Sequence, residues 1–100
     1  MQTTIKCITS DTVKQKLHDD NNIVVIDVRS KEEYNEKHIP AAIHIPLNEL
    51  ETEFIHFSKE NLYITVCGKG GGRSADAAEK LRQSGLSSAW LCGGTFGWFV

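Results

Sequence analysis

Two prolines, three cysteines and no long apolar run set the first bounds on this 100-residue chain. No stretch approaches the roughly 20 apolar residues needed to cross a bilayer. The N-terminus, Met1-Gln2-Thr3-Thr4, has no basic flank leading into an apolar segment, so a cytoplasmic location and no membrane partner are expected. Cys7, Cys67 and Cys92 are odd in number, far apart in the chain and form no C-x-x-C pair. That pattern argues against a structural zinc site and a disulfide framework, so free thiols and no metal are expected. Charge of one sign is also lacking: 11 Lys and Arg against 13 Asp and Glu leave a formal net charge of -2. Nucleic acid is therefore not an expected partner. Any anion site has to be local, built from a few placed donors.

What is present fits one domain over residues 1–100, with 40% hydrophobic residues for a core and 24% charged residues for a surface. Residues 5–8 suggest a short first strand. Ser10 suits a helix N-cap, with Val13 and Leu17 four apart on one face and an end near His18. Residues 19–22, two Asp and two Asn, suit a turn. Residues 23–26 and 62–66 are β-branched runs, as expected of strands buried on both faces. Residues 30–37 are helix-compatible, 42–46 extended, and Leu47, Leu50, Phe54 and Phe57 recur at helical spacing. A helix is predicted over 74–84 with Gly85 as its stop, then a last strand over 89–91. Alternating strands and helices predict an α/β fold with a mostly parallel sheet of about five strands and helices on both faces.

In such a sheet, ligands bind beyond the carboxyl ends of the strands. Cys67 falls where the predicted central strand ends, and a helix follows within a few residues. Between them lies Gly68-Lys69-Gly70-Gly71-Gly72-Arg73. Glycines can take positive φ and curl several N–H groups toward one point, an anion-binding nest. Lys69 and Arg73 add two charges, and a guanidinium can grip an oxyanion with two parallel bonds. A helix N-terminus also favours a thiolate. Strand, cysteine, glycines, arginine and helix start together point to Cys67 as a nucleophile for an anionic substrate. The pattern is neither G-x-G-x-x-G nor a nucleotide P-loop, because Arg73 stands where the former needs glycine and no Gly-Lys-Ser/Thr is present.

Three segments resemble the rhodanese superfamily across nearly the full length. They are Val25-Ile26-Asp27-Val28-Arg29 with Glu33-Tyr34 and the His38-to-Pro46 stretch; Val66-Cys67 through Arg73-Ser74; and Leu91-Cys92-Gly93-Gly94 with Trp98. The resemblance implies a rhodanese-like fold and a sulfurtransferase that needs no cofactor. Cys67 would take the outer sulfur of thiosulfate or a persulfide as a Cys67 persulfide, and pass it to a thiol, a protein acceptor or cyanide. Gly68 to Arg73 would bind the substrate, with Asp27, Arg29, Ser74 and Cys92 beside the site. Asp27 and Arg29 either reach the pocket rim or form an ion pair tying their strand to the Glu33 helix. His38 and His44 are read as turn and packing residues, and Cys7 as structural.

Three departures from the family pattern leave alternatives open. The loop places its arginine seventh counting from the cysteine, one later than in many rhodaneses. The resulting C-x5-R spacing resembles that of dual-specificity phosphatases and arsenate reductases. A persulfide carrier or sensor with little turnover is the other alternative. Cys92 precedes Gly93-Gly94 on a strand expected beside that of Cys67, which offers either a packing thiol or a partner that resolves a Cys67 persulfide. The closing C-terminal helix of the family is expected to be absent, leaving Phe96, Trp98 and Phe99 partly exposed and available for a homodimer contact over residues 96–100.

Overall fold

A computed structural model describes residues 7–19 and 22–99, with nothing stated of the Phe54 side chain. The start of the expected first strand (5–6), the middle of the expected turn (20–21) and Val100 lie outside the described residues. Five strands, β1 (Cys7–Ile8), β2 (Ile23–Asp27), β3 (Ala42–His44), β4 (Leu62–Val66) and β5 (Ser87–Leu91), form one sheet. Their order is β1-β5-β4-β2-β3, and every pairing is parallel. The helices are α1 (Ser10–Asp19), α2 (Lys31–Glu36), α3 (Leu50–Glu53), α4 (Gly72–Gln83) and α5 (Gly94–Trp98). The expected α/β architecture is therefore the one observed.

Strand alternation sends consecutive residues of β2 and β4 into two different cores. Val25, Ile64, Val66 and Leu91 pack with Val13 of α1 and with Ile39 on one face. On the other, Ile26, Tyr63 and Cys67 pack with Leu50 of α3 and with Ala77 and Leu81 of α4. Burial on both faces is why the central strands read as unbroken apolar runs. Each fully buried Ile, Leu or Val contributes roughly 1.5–3 kcal/mol. The same alternation, continued one step past β4, turns Cys67 toward α4.

Local signals explain most boundaries, with three corrections. Thr9, not Ser10, caps α1: its Oγ1 accepts from Thr12 N at 3.3 Å and its carbonyl from Val13 N at 3.0 Å. α4 begins at Gly72 rather than Ser74, because Gly71 takes φ 72° at the cap and the helix closes directly behind it. The 47–57 segment is not one helix but a 3-10 turn, the four residues of α3 and a second 3-10 turn. Leu47, Leu50 and Phe57 nevertheless face one core. Gly85 ends α4 as expected: at φ 88° its N–H reaches Arg82 O while Leu86 N reaches Leu81 O. This is the paired hydrogen bonding of a left-handed helix stop, sealed by two buried leucines of one core.

The expectation of three free thiols is overturned. Cys7 and Cys92 form a disulfide with Cα atoms 5.0 Å apart, although 85 positions separate them. Spacing along the chain hid the pair. Parallel pairing of β1 with β5 sets Cys7 opposite Trp90 and Ile8 opposite Leu91, and Cys92 N then donates to Ile8 O at 2.9 Å. The segment after β5 also folds into a five-residue helix, α5, for which the sequence pattern gives no expectation. Trp98 packs into the α1-side core, while Phe96 and Phe99 remain exposed.

The disulfide anchors a two-residue edge strand that has little ladder of its own. Reduction, or Cys92→Ser, is expected to lower stability by up to about 4 kcal/mol, the entropy of closing so long a loop. Thermal unfolding with and without reductant checks this, and an unchanged transition would contradict it.

Candidate active site around Cys67

Cys67 is the free cysteine among the described residues, and it is 5% exposed. Its Sγ donates to Gly71 O at 3.2 Å and to Ser74 Oγ at 3.3 Å, and Ser74 Oγ in turn donates to Gly71 O at 2.9 Å. Thr65 Oγ1 donates to Ser74 O at 2.7 Å, so the strand leading to the cysteine is tied to the first turn of α4. These contacts hold the loop curled around the sulfur. Gly70, Gly71 and Gly72 follow one another at φ 91°, 72° and 45°, the left-handed run that curls the loop.

The C-terminal corner supports that loop from below. Thr95 N donates to Cys67 O at 2.8 Å and Phe96 N to Gly68 O at 3.1 Å. Gly94 approaches so closely that a Cβ there would stand 2.4 Å from Cys67 O. Only glycine fits this contact.

A cavity of about 470 Å³ opens over the loop, lined by residues 67–73 together with Glu33 and Phe96. The structure thus brings Cys67, Gly68, Lys69, Gly70, Gly71, Gly72 and Arg73 around one space, with Ser74 against the thiol. Asp27 and Arg29 are not part of it. They form a buried pair in which Arg29 Nε donates to both Asp27 oxygens at 3.0 and 3.1 Å and Nη2 to Oδ2 at 2.9 Å. Arg29 Nη2 also donates to Lys37 O, so the ion-pair alternative is the one observed, joining β2 to the end of α2. Arg29 lines a neighbouring cavity of about 450 Å³, of which Arg73 forms the shared wall. Cys92, bonded to Cys7, is no free thiol for Cys67 in this structure. His38 and His44 have structural contacts: both stack on Tyr34, and His44 Nε2 lies 2.8 Å from Arg29 O.

Glu33 is the residue that the sequence did not single out. Arg73, expected to offer its guanidinium to a substrate, gives it to Glu33: Nη1 to Oε1 at 2.8 Å and Nη2 to Oε2 at 3.1 Å. Glu33 is held in place by a capping box at the start of α2. Ser30 N donates to its Oε1 at 3.1 Å, and Glu33 N donates to Ser30 Oγ at 3.2 Å. The pairing of Glu33 with an arginine 40 residues away has no signature in the local sequence. The Arg73 guanidinium, followed by the Ser30 backbone bond, lowers the Glu33 carboxyl from 4.5 to about 2. Glu33 in turn raises the Arg73 pKa above its ordinary value.

A family model described as Rhodanese-like domain matches residues 9–99. The chain is 31% identical over 94 residues to the "Putative sulfurtransferase YtwF" of Bacillus subtilis, covering 94% of this chain and 90% of that protein. It is 34% identical over 79 residues to the "Putative sulfur carrier protein YrkF" of the same organism, covering 79% of this chain but 42% of that protein. The chain therefore spans less than half of the length of YrkF. Among solved structures, a rhodanese-like domain protein from Staphylococcus aureus matches with a TM-score of 0.84 at 35% identity, covering 94% of this chain and 91% of that one. No helix among the described residues is long and apolar enough to cross a membrane.

Two outcomes follow from the charges. Removing one member of the buried pair, by Asp27→Asn or Arg29→Ala, is expected to cost about 3–5 kcal/mol in denaturant unfolding, because the other is left unpaired. The Glu33 carboxyl lies lower in the folded protein than in the unfolded chain. Its contribution to stability is therefore complete above about pH 4.5 and lost as pH falls through about 2. Carbon-detected NMR should find the Glu33 midpoint near 2, and Arg73→Met should move it upward. A midpoint at the ordinary carboxylate value in the wild type would contradict the pairing.

Proposed function

This chain belongs to the rhodanese-like domain family, and on that footing we propose that it is a sulfurtransferase whose nucleophile is Cys67. The observation that carries the reading is the position of a lone free thiol at the end of β4, inside a left-handed glycine loop and against the first turn of α4. The thiolate attacks the outer sulfur of the donor. A Cys67 S–S bond forms, the donor S–S bond breaks, and the electron pair leaves with sulfite when the donor is thiosulfate. An acceptor thiolate or cyanide then attacks the terminal sulfur and regenerates the Cys67 thiolate. No other reactant is needed to balance either step. Lys69, Arg73 and the loop N–H groups serve the substrate anion. Phe96, on the cavity rim, is assigned to substrate rather than to a dimer contact. A cytoplasmic location is kept as part of the proposal.

The phosphatase alternative needs an acid to protonate a leaving oxygen. Glu33 is the carboxyl that lines the cavity among the described residues, yet at a pKa of about 2 it is ionised at neutral pH. A carrier with little turnover is the second reading, favoured by the likeness to YrkF.

Intact mass after incubation with thiosulfate decides among these. A one-sulfur gain that vanishes in Cys67→Ser, with thiocyanate released on adding cyanide, supports the transferase. A stable gain with negligible turnover supports the carrier. Turnover of aryl phosphate with no sulfur gain would sink the proposal.

A further inference from the structure

The charges around Cys67 bear on which sulfur donor the cavity takes. Lys69 and Arg73 bring two positive charges and Glu33 one negative charge, and both guanidinium Nη groups of Arg73 are engaged by Glu33. A thiosulfate dianion beside a Cys67 thiolate and Glu33 would gather four negative charges against two positive ones. An organic persulfide in its protonated form, R–S–S–H, adds none, leaving two against two. The rim supplies what such a donor needs instead. Phe96 is 56% exposed and lies over Gly68, where a Cβ would come within 3.3 Å of its ring. It offers an apolar face to the R group.

We propose that Glu33 is a specificity-determining residue of this site, holding Arg73 so that the cavity favours small organic persulfides over dianionic donors such as thiosulfate. The inference rests on the sulfurtransferase reading of Cys67. In the favoured reaction the Cys67 thiolate attacks the outer sulfur of R–S–S–H. The new S–S bond forms, the old one breaks, the electron pair leaves on R–S⁻, and the proton stays on the transferred sulfur. Helix capping alone does not account for Glu33, because glutamine serves a capping box equally well. Only a carboxylate accepts from both guanidinium nitrogens and cancels a charge.

Glu33→Gln separates the two roles, since it keeps the cap and removes the charge. Steady-state sulfur transfer to cyanide is measured with thiosulfate and with a small alkyl persulfide. The variant should raise kcat/KM for thiosulfate on the order of five- to tenfold, mostly through KM. For the persulfide the change should stay within about twofold. Alkylation of Cys67 by iodoacetate and by iodoacetamide gives a readout that needs no sulfur transfer. The iodoacetate-to-iodoacetamide rate ratio should rise by a similar factor in Glu33→Gln. The wild type, which requires no variant to fold, should show a ratio within about threefold of that for a small free thiol. An unmoved ratio and an unmoved thiosulfate KM in Glu33→Gln, or a strong iodoacetate preference in the wild type, would overturn the proposal. If the ratio shifts while no donor leaves sulfur on Cys67, charge selection by Glu33 stands and the sulfurtransferase reading fails.

Discussion

The contact on which the site depends is made by backbone alone. The Gly94 Cα rests against the carbonyls of Cys67 and Gly68, where a Cβ would stand 2.4 and 2.5 Å from their oxygens. Two hydrogen bonds from Thr95 and Phe96 fasten the same corner to the same two residues. Because that corner follows β5 and the loop follows β4, neighbouring parallel strands deliver both to one edge of the sheet. The loop can then curl through three left-handed glycines without side chains to steady it. The cost of glycine entropy in the loop is offset by the rigidity of the corner beneath it.

Charge is arranged around this backbone frame in two tiers. The buried tier, Asp27 with Arg29, has every strong partner inside the protein and joins β2 to the end of α2. The exposed tier, Glu33 with Arg73, spans the mouth of the cavity, where solvent keeps such pairs worth about 1 kcal/mol or less. A weak pair can yield to an incoming ligand, whereas the buried one cannot without unfolding its surroundings. The two arginines thus have opposite duties although they line adjoining walls of one neighbouring cavity. A net charge of -2 for the whole chain says nothing of this local arrangement.

The Cys7–Cys92 bond acts on the same frame from outside. Cys92 lies two residues before Gly94, so the disulfide pins the approach to the corner while leaving Cys67 as a separate thiol. One chain therefore carries a cysteine pair joined at the sheet edge and a single free cysteine at the end of β4. Their separation in space follows from the sheet order, with β1 at one edge and β4 in the middle.

Local rules made much of this legible in advance. The β-branched runs of β2 and β4, the Gly85 stop and the Cys67–Arg73 loop each announce themselves within a few residues. The parallel α/β fold follows from their alternation. α4 starts two residues before the predicted Ser74, because a helix beginning on glycine after a left-handed cap has no side-chain signature. The pairings between distant residues, Cys7 with Cys92, Gly94 with Cys67 and Glu33 with Arg73, exist only in the folded molecule. The physical reason is common to all three. Parallel strands meet through long crossovers, so register across the sheet, not spacing along the chain, sets which side chains stand within bonding distance. A thiol in a glycine loop at a strand end is written in consecutive residues; which carboxylate shares the loop's arginine is set by the folded sheet.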